Sequence, residues 1–426
     1  MIYVVKHSWA LLLGIFLLLL GNGVQGTLLG IRGVAEGFST GVLSLIMAAY
    51  FLGFLGGSRL TPLLIRRVGH VRVFAALASF ISAALILFAA LPDQFAWFAL
   101  RVVIGFCYSG VYVVSESWLN DSSTNETRGQ SLSAYMIIQM MGIVMAQWLL
   151  SAVDTSGYTL FVIISVAVSL SFAPILLSAN PAPMFHSTKP MTLKQLYHAS
   201  PLGVVGSFLL GGVFGAQFGM MAVYGAAVGM SIGEIALFAS AIYVGGMLLQ
   251  YPIGWLSDHM DRRLLIVSAS LTGGVAALAV LPFSDNFTAL LITAFVLGGT
   301  TNPLYSLYIA YTNDFLEPDD MAAASGGLIF VNGVGAITGP LIVGWLMTRF
   351  APSGFFVYLG VVLLLMGGYA LYRMSQRAAP SIEDTNAYTP VAPSASPVAV
   401  EVAQEIAIEA AQEEESSDSA PIVTVL

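Results

Sequence analysis

The sequence predicts an all-α polytopic membrane protein, with twelve transmembrane helices in two six-helix halves. Three observations predict it. Of 426 residues, 57% are hydrophobic and only 9% charged, where a soluble domain carries about 25% charged residues. Apolar stretches of about 20 residues, enough to cross a hydrocarbon core of about 30 Å, recur twelve times along the chain. A single offset of 193 residues brings like residues of the two halves into register. A membrane β-barrel would instead show short alternating segments, and the sequence has none.

In order, the spans lie near 8–30, 40–62, 73–91, 96–119, 130–152 and 158–179, then 201–224, 233–256, 264–282, 288–311, 322–347 and 354–373. This divides the chain into an N-terminal bundle (1–179), a polar central loop (180–200), a C-terminal bundle (201–373) and a tail (374–426). The first span follows MIYVVKHS. It is too long for a signal-peptide core and no small-residue cleavage site follows, so it is expected to stay in the mature protein. Cys107 is the only cysteine, so neither an intrachain disulfide nor a cysteine-type metal site is possible. No histidine falls mid-span, no catalytic cluster is visible, and no phosphate-cradling G-x-x-x-x-G-K-S/T loop occurs. The chain is read as a non-enzyme without metal or cofactor.

Charge sets the expected orientation. With the N-terminus inside and twelve alternating spans, the inner segments collect Lys6, Arg66, Arg67, Arg72, Arg128, Lys189, Lys194, Arg262, Arg263, Arg373 and Arg377. The outer segments collect Arg32 and Arg349. Basic residues mark the cytoplasmic side, so both termini are expected in the cytoplasm, with the protein in the cytoplasmic (inner) membrane.

The repeat is specific. At offset 193, Tyr50 meets Tyr243, Gly105 meets Gly298, Asn120-Asp121 meets Asn313-Asp314, Gln139 meets Asn332 and Gly142 meets Gly335. Parallel six-helix repeats of this kind build one large transporter fold. After span eight the chain reads GWLSDHMDRR. With Gly254, Leu256, Asp258, Arg262 and Arg263 in place, this resembles G-x-L-x-D-R/K-x-G-R/K-R/K, the signature of the major facilitator superfamily. It departs at Asp261, where the family prefers glycine. The first-half turn, LTPLLIRRVGHVR, keeps Arg66, Arg67 and Gly69 but lacks the aspartate. Physically, an acid in such a turn caps the following helix, a role expected here of Asp258, and the basic cluster holds the spans to anionic headgroups. SESWLND (115–121) and the Arg-Arg-Val-Gly-His turn are most similar to the bacterial YcaD-like group of that superfamily. The resemblance covers residues 1 to about 373. It implies a secondary active or facilitative transporter that moves a small-molecule solute by alternating access, with efflux of amphipathic or polar organic compounds one form of it. A non-transporting receptor or sensor on the same bundle is the alternative.

Charges inside spans normally face the bundle interior, because at mid-bilayer each costs at least about 2.5–3.5 kcal/mol. Arg101 and Glu116 both lie in span four. They are about 22 Å apart at 1.5 Å per residue, so they cannot pair. Glu116 and Arg59 lie at similar depth, and their repeat partners, Ile309 and Pro252, are uncharged. An Arg59–Glu116 pair is therefore expected as an inner gate or latch, with Arg66 or Arg67 sharing the carboxylate, alongside the signature residues Gly254, Asp258, Arg262 and Arg263. Arg101 precedes Gly105 by four residues. This Arg-x-x-x-Gly resembles the superfamily pattern of proton-coupled efflux, whose arginine faces the central cavity. The span-five mark of that group, G-x-x-x-G-P, stands instead in span eleven, from Gly335 to Pro340.

The resemblance further implies a cavity lined by spans one, four, seven and ten. The candidates there are Asn22 and Gln25; Arg101, Tyr108 and Tyr112; Gln217 and Tyr224; Asn302 and Tyr305; spans five and eleven add Gln139 and Asn332. Amides and phenols supply donors and acceptors without fixed charge, whereas an arginine grips an anionic group bidentately. The tail carries nine acids against one arginine. Its Pro-, Ser-, Ala- and Glu-rich composition predicts disorder, although Glu401, Glu405, Glu409 and Glu413 would share one helical face. The expected partners are a small-molecule solute, a coupling proton or ion, and membrane lipid. Nucleic acid is not expected, and monomer is the default state.

Overall fold

The computed structural model describes residues 2–121, 123, 125–177, 191–377, 388–391, 395–396, 398–400 and 402–405. Among these residues there is no strand, and twelve helices are long and apolar enough to cross a membrane. The first six are α1 (Ile2–Ala35), α2 (Thr40–Val68), α3 (His70–Ala90), α4 (Gln94–Asp121), α5 (Asn125–Ala152) and α6 (Thr159–Ser171), the last followed by the short α7 (Ala173–Leu177). A short α8 (Leu193–Ala199) leads into the second six. These are α9 (Pro201–Ala227), α10 (Ile232–Ser257), α11 (Arg262–Ala279), α12 (Phe287–Asn313), α13 (Pro318–Arg349) and α14 (Gly354–Gln376). Much of the central loop, 178–190, lies outside the described residues.

Large apolar side chains point outward along the bundle. Phe80, Trp148, Ile292 and Trp345 are all more than half exposed. A water-soluble fold would not leave so much apolar surface uncovered, so lipid covers it. The chain is an integral, multi-pass membrane protein.

The internal repeat reappears as packing. In the first half α2 lies against α4, and a Cβ at Gly53 or Gly105 would overlap a carbonyl oxygen of the other helix, Val102 or Tyr50. In the second half α10 lies against α12, and a Cβ at Gly245 or Gly298 would overlap Phe295 or Ile242 in the same way. Small residues let such helices approach to backbone contact. The G-x-x-x-G-P of span eleven does the same work inside the second half. Gly335 and Gly339 bring α13 onto the carbonyls of Phe208 and Gly212 of α9.

Twelve crossings return the end of α14 to the end of the bundle where α1 begins; we call this end proximal and the other distal. The halves touch distally, and α2 and α13 also touch nearer the proximal end, where Arg59 lies over Phe330. A Cβ at Gly30 of α1 would press on Ala222 of α9, and one at Gly344 of α13 on Ser44 of α2. Proximally, described residues of the tail stand between the halves. Tyr388, Val391, Ser396, Gln404 and Glu405 bond to α10, α12, α4, α13 and α5 respectively. For these residues the expectation of a solvated, disordered tail does not hold. Composition misled because the groove that receives them is made by distant helices. Glu409 and Glu413 lie outside the described residues.

Two further expectations change. Asp258 does not cap the helix after it. It ends α10, and Asp261 caps α11 by accepting from the Arg263 backbone N–H at 2.9 Å. The residue that departs from the family signature therefore supplies the cap. Arg59 does not pair with Glu116. It is exposed, and its guanidinium lies 3.9 Å over the Phe330 ring of α13.

Candidate functional site

Between the halves is a cavity of about 210 Å3. Its first-half wall is a chain of hydrogen bonds built by α1, α2 and α4. Arg101 donates through Nη1 to Gln25 Oε1 at 2.6 Å, Gln25 Nε2 to Asn22 Oδ1 at 3.1 Å, and Asn22 Nδ2 to the Tyr112 phenol oxygen at 3.0 Å. Tyr50 O–H adds a bond to Asn22 Oδ1 at 3.3 Å. Helix geometry explains the local order. Asn22 and Gln25 are three residues apart on α1 and so share a face. Each link in such a chain polarises the next, and the last leaves the Tyr112 O–H free to donate toward the cavity.

Arg101 is 2% exposed. Besides Gln25 it reaches the Ile46 carbonyl at 3.4 Å and Met47 Sδ at 3.2 Å, and it lies 4.8 Å over the Tyr50 ring. A guanidinium has five N–H donors, and no carboxylate lies among the described cavity-lining residues. Gln139 of α5 also lines the cavity and is buried beside Tyr135. Its repeat mate Asn332 is committed, with Nδ2 on the Ser207 carbonyl at 3.0 Å. The remaining wall is aromatic and aliphatic: Phe51, Phe54, Phe214, Phe218 and Met221, with Tyr243 and Tyr305 between them.

Of the sequence candidates, Asn22, Gln25, Arg101, Tyr112, Gln139, Asn302, Tyr305 and Asn332 come together on this cavity. Tyr108, Gln217 and Tyr224 do not. Tyr108 donates to the Leu18 carbonyl at 3.2 Å and fills the space beside Gly21. Gln217 accepts from Thr301 at 3.2 Å inside the second half. Tyr224 is stacked on Phe355, 5.2 Å between centroids. None of the three is among the residues that line this cavity. Sequence reasoning missed Tyr50 and Tyr243 as lining residues, although the 193-residue offset had already paired them.

The gate candidates gather at the proximal end. Arg262 is 2% exposed and is held by Asp314 Oδ1 at 2.5 Å and by Asp258 Oδ1 at 3.5 Å, with Nε on Ser257 Oγ at 3.0 Å. Arg263 pairs with Asp261 at 2.7 Å and donates to the Arg377 carbonyl at 2.6 Å. Burial raises the Asp261 carboxyl, but hydrogen bonds from the Arg263 side chain and backbone outweigh it and hold the group below its ordinary value. Gly254 leaves room for the Tyr388 ring, where a Cβ would collide. Arg66 and Arg67 end α2 at the surface. Glu116, 4% exposed, accepts from Tyr135 O–H at 2.8 Å and from the Ser396 backbone N–H at 2.9 Å.

The profile of the Major Facilitator Superfamily matches residues 11–231 and 203–403. The MFS-type transporter YcaD of Escherichia coli (strain SE11) is 30% identical over 358 residues, covering 83% of this chain and 92% of that protein. The YcaD of Shigella sonnei (strain Ss046) matches with the same identity and coverage. Among solved structures, the nucleoside transporter NupG superposes with a TM-score of 0.69 at 15% identity, over 86% of this chain and 96% of its own. A bacterial homologue of the human lysosomal transporter Spinster, in an inward-facing and unoccupied conformation, gives 0.61 at 13%, over 96% and 98%. With this sequence kinship and a polar cavity between two six-helix halves, the chain is a solute transporter rather than a receptor, and it belongs to the Major Facilitator Superfamily.

Proposed function

We propose that the protein carries a small organic anion with an apolar body across the bacterial inner membrane, with its proximal end in the cytoplasm. One observation carries the substrate class: the guanidinium of Arg101 forms part of the cavity wall, 2% exposed, and no carboxylate among the described lining residues balances it. A buried charge without a counter-ion is costly, and an anionic ligand supplies the missing partner. The Tyr112 O–H, whose oxygen already accepts from Asn22, is a further donor for the same group. The phenyl rings of the lining offer apolar cover for the remainder of the solute. The orientation rests on the basic residues, which gather at the proximal end as Arg66, Arg67, Arg128, Arg262, Arg263 and Arg373.

The test is a thermal-stability screen of the purified protein with matched carboxylates, sulfonates and phosphomonoesters, their neutral amides or alcohols, and organic cations. A ligand at 100 times its dissociation constant adds about 2.7 kcal/mol. The expected result is stabilisation by an anion, absent for its neutral isostere and lost in Arg101→Ala. Stabilisation by neutral or cationic compounds alone would overturn the reading.

A further inference from the structure

The tail contacts describe a binding site. We propose that the proximal vestibule is a peptide-binding site whose occupant is this chain's own C-terminal segment, and that the docked segment closes the proximal mouth of the cavity.

Four observations carry this. The segment is buried as thoroughly as a span interior, with Ala395, Ala399, Val400, Val402 and Ala403 all at or below 5% exposure. Several of its polar groups are bonded to the bundle. Glu116 accepts the Ser396 N–H, Ser306 exchanges two hydrogen bonds with the Val391 backbone, and Asp258 accepts the Tyr388 N–H at 2.7 Å. Gln250 Nε2 donates to the Tyr388 phenol at 2.8 Å, Gln404 bonds Ser325, and Arg128 pairs with Glu405 at 2.6 Å. The contacts come from both halves: α4 and α5 on one side, and α10, α12 and α13 on the other. Finally, Ala395 itself lines the central cavity.

The geometry explains why these residue types fit. Ala399 and Ala403 stand four residues apart in the helical turns, which puts small side chains on one helical face. Such a face lets a helix lie close against its neighbours. The Glu116 carboxylate receives a backbone donor just ahead of helical turns at 398–400 and 402–405. The partner is therefore an alanine-faced segment with an acidic residue set against Arg128. Because the segment is tethered to α14, its effective concentration is high and no free peptide competes easily. Docked between the halves, it favours the arrangement of the halves that holds this groove open. A ligand shifts a conformational equilibrium by its differential affinity for the two states, and this groove takes its contacts from both halves at once.

Accessibility tests the proposal without knowledge of the transported solute. The reporter is Ser58→Cys, a cavity-lining position, in a Cys107→Ala background, treated in detergent with a water-soluble maleimide. In the full chain the thiol reacts slowly. Truncation after Arg377 raises the rate about tenfold or more, as expected where the docked state outweighs the released one by about ten to one. Ser396→Pro, which deletes the N–H that Glu116 accepts and leaves the bundle untouched, raises the rate in the same direction. A synthetic peptide of residues 388–405 added to the truncated protein slows the reaction again. Equal rates in the full chain and Ser396→Pro would overturn the proposal, even if the truncated protein failed to fold. So would a truncated protein that folds and reacts no faster.

Discussion

Glu116 and Ser396 stand 280 residues apart in the chain, yet the carboxylate of the first accepts the backbone N–H of the second at 2.9 Å. This contact replaces the Arg59–Glu116 latch that charge asymmetry between the halves had implied. The asymmetry was real, but its cause was different. Glu116 has no counterpart in the second half because only one half receives the Ser396 N–H, and Arg59 has none because its partner is a ring of the opposite half, Phe330.

A double-mutant cycle separates these accounts. Arg59→Ala and Glu116→Ala are expected to add within about 0.5 kcal/mol in detergent unfolding, as non-contacting residues do. Glu116→Ala and Tyr135→Phe share one hydrogen bond and are expected to couple by about 0.5–3 kcal/mol. Coupling in the first pair would restore the latch.

The two carboxylates on Arg262 are expected to differ. Asp314 is 2% exposed, as is its arginine. Asp314→Ala removes the nearer, buried carboxylate and leaves Arg262 with the longer Asp258 pair and Ser257, so its cost should be the larger, toward the about 3–5 kcal/mol of a broken buried pair. Asp258 is 39% exposed and lies at 3.5 Å, so the loss of its ion pair in Asp258→Ala costs about 1 kcal/mol or less. Thermal unfolding of the two variants side by side checks the order.

Glycine positions give a contrast inside the spans. Gly105→Ala and Gly298→Ala drive a methyl into a carbonyl of the neighbouring helix and should cost about 1–3 kcal/mol from overpacking. Gly368→Ala meets open space and should be neutral or stabilising by about 0.4–1 kcal/mol. Melting temperatures that fall equally for all three would contradict the packing described for α2 on α4 and α10 on α12.

Asp261 predicts an acid-side loss of stability. Its carboxyl is held below the ordinary value of 3.8. A depressed carboxylate contributes stability that is complete above the unfolded value and lost as pH falls through the folded one. The contribution should therefore be flat from neutral pH to about 4 and decline below that. In Asp261→Asn this part of the decline should disappear from a pH series of melting temperatures.

Arg101 separates charge from shape. Arg101→Lys keeps the charge but loses the planar fork, and with it bidentate recognition. An anion that stabilises the native protein should bind the Lys variant more weakly and the Ala variant not at all. Equal binding in Arg101→Ala would place the ligand elsewhere.

Twelve spans, their order and the two-half repeat were legible in the sequence, because lipid imposes length and hydropathy on each span separately and a repeat keeps its glycines at one offset. Arg101, Asn22, Gln25 and Gln139 could be picked as cavity residues because a polar group is expensive in lipid and must turn inward. Whether inward meant the cavity or a packed interface was decided by rotation about each helix axis, which only the assembled bundle fixes. This is why Tyr108, Gln217 and Tyr224 face neighbours while Tyr50 and Tyr243 face the centre. The tail shows the limit most clearly. Its composition is that of a chain unable to bury a core of its own; its described residues are held instead in a groove made by α4, α5, α10, α12 and α13. A local sequence reports what a segment can do alone, and docking between distant helices is a property of the surface that receives it.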